Sequence, residues 1–168
     1  MALEWACGEL LANRMQELDL CDSEIGKEGM RELAMAITEN TSLTSLGLWD
    51  NEIEEGGTLV VFLGLQENHA LASLDLGANL MGETGVRILA HILQDQCNLT
   101  SLHLQDCGIG EAGARELATA LKVNRSLISL DLTNNDFEPS GVQELIEALE
   151  ENSGLVSFKM ENIVHQFV

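Results

Sequence analysis

The chain has 168 residues, and 28 acidic side chains against 8 basic ones give it a formal charge of −20. That length fits one domain, and a surface so acidic repels phosphate backbones and anionic lipid while favouring basic protein partners. No stretch is apolar and long enough to span a bilayer, and the first residues lack the basic start and apolar run of a secretory leader, so a cytoplasmic location is expected.

Taken from the N-terminus, Leu3, Ala6, Leu10 and Leu11 approximate a helical stripe, so residues 1–14 are expected to form a degraded, helix-only half repeat that caps the next element. From Met15 onward the chain repeats every 28 positions. Met15, Leu18 and Leu20 recur as Leu43, Leu46 and Leu48, as Leu71, Leu74 and Leu76, as Leu99, Leu102 and Leu104, and as Leu127, Leu130 and Leu132, and the last copy is Leu155, Phe158 and Met160. The Leu-x-Leu alternation predicts a short strand with both leucines on one side. A turn residue follows at Ser23, Asn51, Asn79, Cys107 and Asn135, a phase where a polar side chain can bond backbone groups of the neighbouring turn; Cys107 and Ser23 can do so only weakly. Gly29, Gly57, Gly85, Gly113 and Gly141 share the phase entering the predicted helix, which points to a permissive or closely approached backbone. Glu55, Glu83, Glu111 and Pro139 suit a first helical turn. Pairs such as Leu33 with Ile37 and Leu117 with Leu121 make the buried stripe, and Asn40, Asn68, Asn124 and Asn152 close the helices where a left-handed residue is expected, with Gln96 in that phase of the third full repeat.

Strand, turn, helix and return, repeated in parallel, stack as right-handed units. Strands need about 4.8 Å and helices about 8 to 10 Å, so the stack curves with its strands inside. The expected fold is therefore an α/β solenoid, a horseshoe with a parallel sheet on the concave face and helices on the convex face. It comprises one domain, 1–168: the half repeat 1–14, five full repeats over 15–154 and an incomplete terminal repeat over 155–168. The phrases LTSLHLQDCGIGEAGARELATAL and LISLDLTNNDFEPSGVQELIEAL resemble the ribonuclease-inhibitor type of leucine-rich repeat, over Met15 to about Met160. The acidic composition, notably in ALEENSGLVSFKMEN, also resembles in a general way the actin-capping tropomodulin repeats, although that phrase is too generic to identify an actin site.

The outward phases of the strands write the concave face as columns. Between the paired leucines stand Asp19, Gly47, Asp75, His103, Asp131 and Lys159; the next outward position holds Cys21, Trp49, Gly77, Gln105, Thr133 and Glu161. Then come Asp22, Asp50, Ala78, Asp106, Asn134 and Asn162, while Glu17 precedes a column of five serines. His103 between Asp75 and Asp131 is the one arrangement resembling an acid–base or metal site, and an exposed ion pair explains it better. Cys7, Cys21, Cys97 and Cys107 show no C-x-x-C spacing and are expected to be reduced thiols. Neither a cofactor nor a metal is expected, and no enzymatic activity.

The resemblance extends to a group that includes an activator of the small GTPase Ran, a role that needs a basic residue in the loops after the strands; of those loops only Lys27 supplies one, which disfavours it. The main expectation is a non-catalytic module that binds a basic protein on the concave sheet. Trp49 is the expected anchor, surrounded by Glu17, Asp19, Asp22, Asp50, Asp75, His103, Gln105, Asp106 and Asp131. The alternative is a structural or sensory part of a larger assembly. It would make contact through a convex patch of Leu59, Val60, Leu63 and Ile88 or through the C-terminal edge, where Ile163, Val164 and Phe167 either fold back over the core or mediate self-association.

Overall fold

The computed structural model describes residues 2–95 and 98–161. Helix α1 (Ala2–Leu11) is followed by five strand–helix units and a sixth strand: β1 (Glu17–Asp19), α2 (Gly26–Glu39), β2 (Ser45–Gly47), α3 (Glu55–Glu67), β3 (Ser73–Asp75), α4 (Gly82–Gln94), β4 (Ser101–His103), α5 (Glu111–Val123), β5 (Ser129–Asp131), α6 (Pro139–Glu151) and β6 (Ser157–Lys159). The strands form one parallel sheet in the order β1-β2-β3-β4-β5-β6. Every register step is 28 residues, so Leu18, Leu46, Leu74, Leu102, Leu130 and Phe158 form one row. Each helix packs on the next one along the chain. The horseshoe expected from the period is the fold observed.

The core is the space between sheet and helices, filled by the leucine triads and by the helix stripes such as Leu33, Ile37, Val61 and Leu89. Burying one such side chain contributes about 1.5 to 3 kcal/mol, so the repetition itself is the main source of stability. The glycine phase is explained by close approach. Gly113 and Gly141 are helical, and a Cβ at Gly113 would stand 2.5 Å from Ile109 Cγ2, while one at Gly141 would stand 2.8 Å from Ala114 Cβ. At the start of α6, Glu111 of the preceding helix accepts the Gly141 N–H at 2.8 Å and the Ser140 hydroxyl at 2.7 Å, satisfying an end that its own residues leave open.

Two asparagine ladders run along the stack, and only one was expected. In the turn ladder, Asn79 Oδ1 accepts the N–H groups of Asn51 and Ile53, both at 3.1 Å, and its Nδ2 donates to Leu48 O at 2.8 Å. Asn51 and Asn135 repeat the pattern, while Cys107 offers only a thiol, 3.3 Å from Leu76 O. The second ladder corrects the sequence reading of the helix ends. Asn40, Asn68, Asn124 and Asn152 are not left-handed: their φ lies between −87° and −65° with ψ between 123° and 135°, which is extended backbone. Their side chains turn inward instead. Asn68 Nδ2 donates to Ile37 O at 2.7 Å and Asn40 O at 2.8 Å, and its Oδ1 accepts the N–H groups of Ala70 and Leu71, both at 2.9 Å. Gln96, the exception in this phase, lies outside the described residues. Left-handed backbone sits elsewhere, at Asp22, Asp50, Ala78, Asp106 and Asn134, where φ is 51° to 58°.

At the N-terminus, Ala6 and Leu10 are buried as the half repeat requires, and Leu3 packs partly against the core. Leu11 does not complete the stripe: it is exposed, and Cys7 takes the buried place, because the helical turn carries position 11 past the core-facing arc.

Candidate functional site

The concave sheet holds the expected columns in register. The three aspartates between the leucines share a local role that the sequence reading missed. Each accepts the N–H two residues on: Asp19 from Cys21 at 3.0 Å, Asp75 from Gly77 at 2.9 Å and Asp131 from Thr133 at 3.0 Å. The recurrence of Asp in one phase was its signal. Asp131 is buried, 6% exposed; it also accepts the Thr133 hydroxyl at 2.6 Å and pairs with Lys159 Nζ at 3.4 Å. Burial pushes its carboxyl pKa up, but the Thr133 hydroxyl and N–H and the Lys159 charge outweigh that and hold it below the usual value. The Asp19 carboxyl is likewise lowered, chiefly by its hydrogen bonds with the Cys21 thiol and N–H.

Around His103, Ser101 Oγ lies 3.2 Å from Nε2, and Asp75 Oδ2 lies 3.9 Å from Nδ1. A hydroxyl, an imidazole and a carboxylate thus come into line, yet 3.9 Å is too long for the hydrogen bond that would orient the ring as a base. The pair is half-exposed, a setting in which ion pairs contribute about 0 to 1 kcal/mol. Among the described residues no group of three or more His, Cys, Asp or Glu side chains could hold a metal ion.

The Trp49 ring rests against Gly77: a Cβ there would clash with Cε3 and Cζ3 of the indole, so the glycine leaves the ring its place, and the Trp49 side chain is half-buried. Gln105, in the same column, has its Oε1 buried with no hydrogen-bond partner among the described residues. On the same concave face, toward β1, Glu17, Asp19, Cys21, Ser45, Gly47, Ser73, Asp75 and His103 line a depression of about 520 Å³. The exposed Asp22, Asp50 and Asp106 form the rim after the strands, with φ of 53°, 51° and 55°. Short polar side chains tolerate that conformation best, so the backbone itself accounts for acids at this phase.

Away from the sheet, Leu63 is 60% exposed on the convex surface, beside Met35 at 73% one repeat earlier. Leu59 and Val60 are half-buried. Ile88 is likewise half-buried, with part of its side chain packed against the core. At the C-terminal edge Val156 is 84% exposed and Ile146 43%, while Leu155, Phe158 and Met160 are only partly covered. Ile163, Val164 and Phe167 lie outside the described residues, as does Cys97. The remaining cysteines are free thiols. Burial raises the Cys107 thiol to about 12 against the opposing pull of the Asn79 N–H; burial and the Asp19 carboxylate raise Cys21 to about 11. Asn40 and Asn124, both ladder residues, are 2% exposed.

Parallel strands stacked in 28-residue register, asparagine ladders and a helical convex face define a leucine-rich-repeat solenoid. A Leucine Rich repeat family profile matches residues 95–118 and 123–145. The fold is similar to a structure described as leiomodin-1 actin-binding site 2, with 24% identity, a TM-score of 0.75 and coverage of 90% of each chain. It is also similar to a tropomodulin C-terminal domain from Caenorhabditis elegans, with 17% identity, a TM-score of 0.72 and coverage of 90% of this chain and 93% of that one. A search of curated proteins gives no match.

Proposed function

We propose that this chain is a non-catalytic protein-interaction module that serves as a structural part of a larger assembly, with the C-terminal edge of the solenoid and the convex ridge around Leu63 as its contacts. The observation that carries the reading is the last repeat. Leu46, Leu74, Leu102 and Leu130 are each 0 to 1% exposed because a strand follows on either side, whereas Phe158 in the same row is only partly buried and Val156 beside it is 84% exposed. Apolar side chains exposed at the edge of the described stack call for a cover, from the chain itself or from a partner. Sedimentation velocity over a range of concentrations tests it: parent protein should self-associate or bind an added partner, and Val156→Asp should weaken that contact without lowering the melting temperature. A monomer at all concentrations that also binds no partner through this edge overturns the reading.

Actin is the first partner to test, by co-sedimentation, because one of the similar structures is described as an actin-binding site. A cytoplasmic location, the ribonuclease-inhibitor subtype of the repeat, and a single domain divided at residues 14 and 154 belong to the same proposal. A second reading, binding of a basic protein on the concave sheet, is favoured by one observation, the depression bordered by Glu17, Asp19 and Asp75. In it Trp49 and Gln105 supply apolar and polar surface, and Asp22, Asp50 and Asp106 form the rim that steers a cationic partner.

A further inference from the structure

The column between the paired leucines alternates acidic and basic residue types from strand to strand, with one place missing. Asp131 on β5 faces Lys159 on β6, with 3.4 Å between Oδ2 and Nζ. Asp75 on β3 faces His103 on β4, at 3.9 Å. Asp19 on β1 faces Gly47 on β2, and Gly47 in turn faces Asp75. Each acidic strand is thus followed by a strand that brings a basic side chain, except β1, which is followed by a glycine. Without a side chain at position 47, the carboxylates of Asp19 and Asp75 border the open depression of about 520 Å³. One oxygen of each is already fixed by the N–H two residues on, so the carboxylates are held in place before any partner arrives.

We propose that this part of the concave face docks a lysine or arginine side chain of a protein partner, laid over Gly47 between Asp19 and Asp75, where it supplies the cation that Lys159 supplies to Asp131. The inference rests on the second reading above. Strands about 4.8 Å apart put a charge above Gly47 within about 5 Å of both carboxylate columns, close enough for either to contribute in a depression partly screened from water. On this column only Asp131 has a lysine of the sheet beside it, at 3.4 Å, while Asp75 has the His103 ring at 3.9 Å and Asp19 faces Gly47.

The sheet also provides its own competitor. A Cβ at Gly47 would meet Asp19 Oδ1 at 3.0 Å and Cys21 Sγ at 3.1 Å, both ends of side chains that can turn aside, so Gly47→Lys should fold and occupy the place from within. The experiment titrates ¹⁵N-labelled full chain with an oligolysine peptide, with oligoglutamate as control, and follows each amide. The expected result is that the amides of Gly47, Cys21 and Gly77 shift most. Gly47→Lys and Asp75→Asn should each weaken binding by about tenfold or more, whereas Asp106→Asn on the rim changes it by less than about twofold. Melting curves of the variants confirm that they are folded. If Gly47→Lys binds as the parent does while the shifts stay on the concave sheet, the docking place is wrong and the concave reading survives. If the shifts fall on the helix starts or the convex face, both fail.

Discussion

Replacing Asn79 by alanine tests what holds successive repeats in register. The side chain is 1% exposed and satisfies groups in two repeats at once. Its Oδ1 accepts the N–H groups of Asn51 and Ile53, residues that are themselves 0 and 1% exposed, and its Nδ2 donates to the carbonyls of Leu48, Leu76 and Gly77. Gly77 O also receives the Asp50 N–H and Leu76 O the Cys107 thiol, so two N–H groups and the Leu48 carbonyl bear the loss. An orphaned buried group costs about 1 to 3 kcal/mol, which puts Asn79→Ala at about 3 kcal/mol or more, a large share of the roughly 5 to 15 kcal/mol by which domains are stable. With a urea m-value of about 1 to 3 kcal/mol/M the midpoint should fall by about 1 M or more. Equilibrium urea unfolding followed by circular dichroism measures it. A midpoint lowered by less than about 0.3 M at unchanged slope would show that water or backbone relaxation serves these groups and that the ladder is not what fixes the register.

Cys107→Asn should act in the opposite direction, because it gives the turn ladder the amide that Asn51, Asn79 and Asn135 already have; a gain of about 1 to 2 kcal/mol in the same unfolding assay is expected, and a loss would mean the cavity is cut to the thiol. Gly113→Ala should destabilise by about 1 to 3 kcal/mol, since its Cβ would meet Ile109 Cγ2 at 2.5 Å and Val86 Cγ1 at 3.1 Å, and thermal unfolding reads this directly. Leu63→Glu should leave the melting temperature nearly unchanged, because the side chain is 60% exposed, and severe unfolding would contradict its outward placement. The pH dependence follows from the thiols: Cys107 and Cys21 are raised to about 12 and about 11 in the folded chain against about 8.5 unfolded, so the folded state holds their protons more tightly. Their contribution is complete below about pH 8.5 and is lost as pH rises toward 11 and 12, and the fall in melting temperature over that window should be shallower in Cys107→Ala. Asp131 works from the acid side: its lowered pKa contributes stability above the ordinary carboxylate range and loses it as pH falls through the folded value, a slope that Asp131→Asn should remove.

The repeat phase made the strands, the stripes and the glycine positions legible, because a 28-residue register is a property of the chain before it is a property of the fold. Leu46 and Leu74 must be neighbours if every unit takes the same path. What the period conceals is which of two physical demands a recurring residue answers. Asn at the helix ends recurs four times, and a left-handed cap and a buried carbonyl ladder both select asparagine; only the direction of the side chain, with Asn68 Nδ2 on Ile37 O and Asn40 O, separates them. The same ambiguity governs the acidic face. Asp22, Asp50 and Asp106 read as a binding rim, yet they occupy left-handed positions where a short polar residue is favoured whatever the protein binds. Asp19, Asp75 and Asp131 read as steering charges, and each also holds an N–H of the turn that follows its strand.

A charge that recurs because the backbone selects it is weak grounds for a site, and a departure from the recurrence is stronger. Trp49 is such a departure, and its indole rests on Gly77, another departure in the same column, so the two explain each other without a partner. Gly47 is not explained in this way. It stands where the alternation of Asp75 with His103 and of Asp131 with Lys159 calls for a basic residue type, and no neighbouring ring fills the place, since the nearest atoms to an added Cβ belong to Asp19 and Cys21. The residue that the repeat leaves out therefore bears more on function than the acids it repeats. The comparison of Gly47→Lys with Asp106→Asn measures that difference directly: equal effects on binding would return the acidic face to a solvated surface whose charges serve the turns.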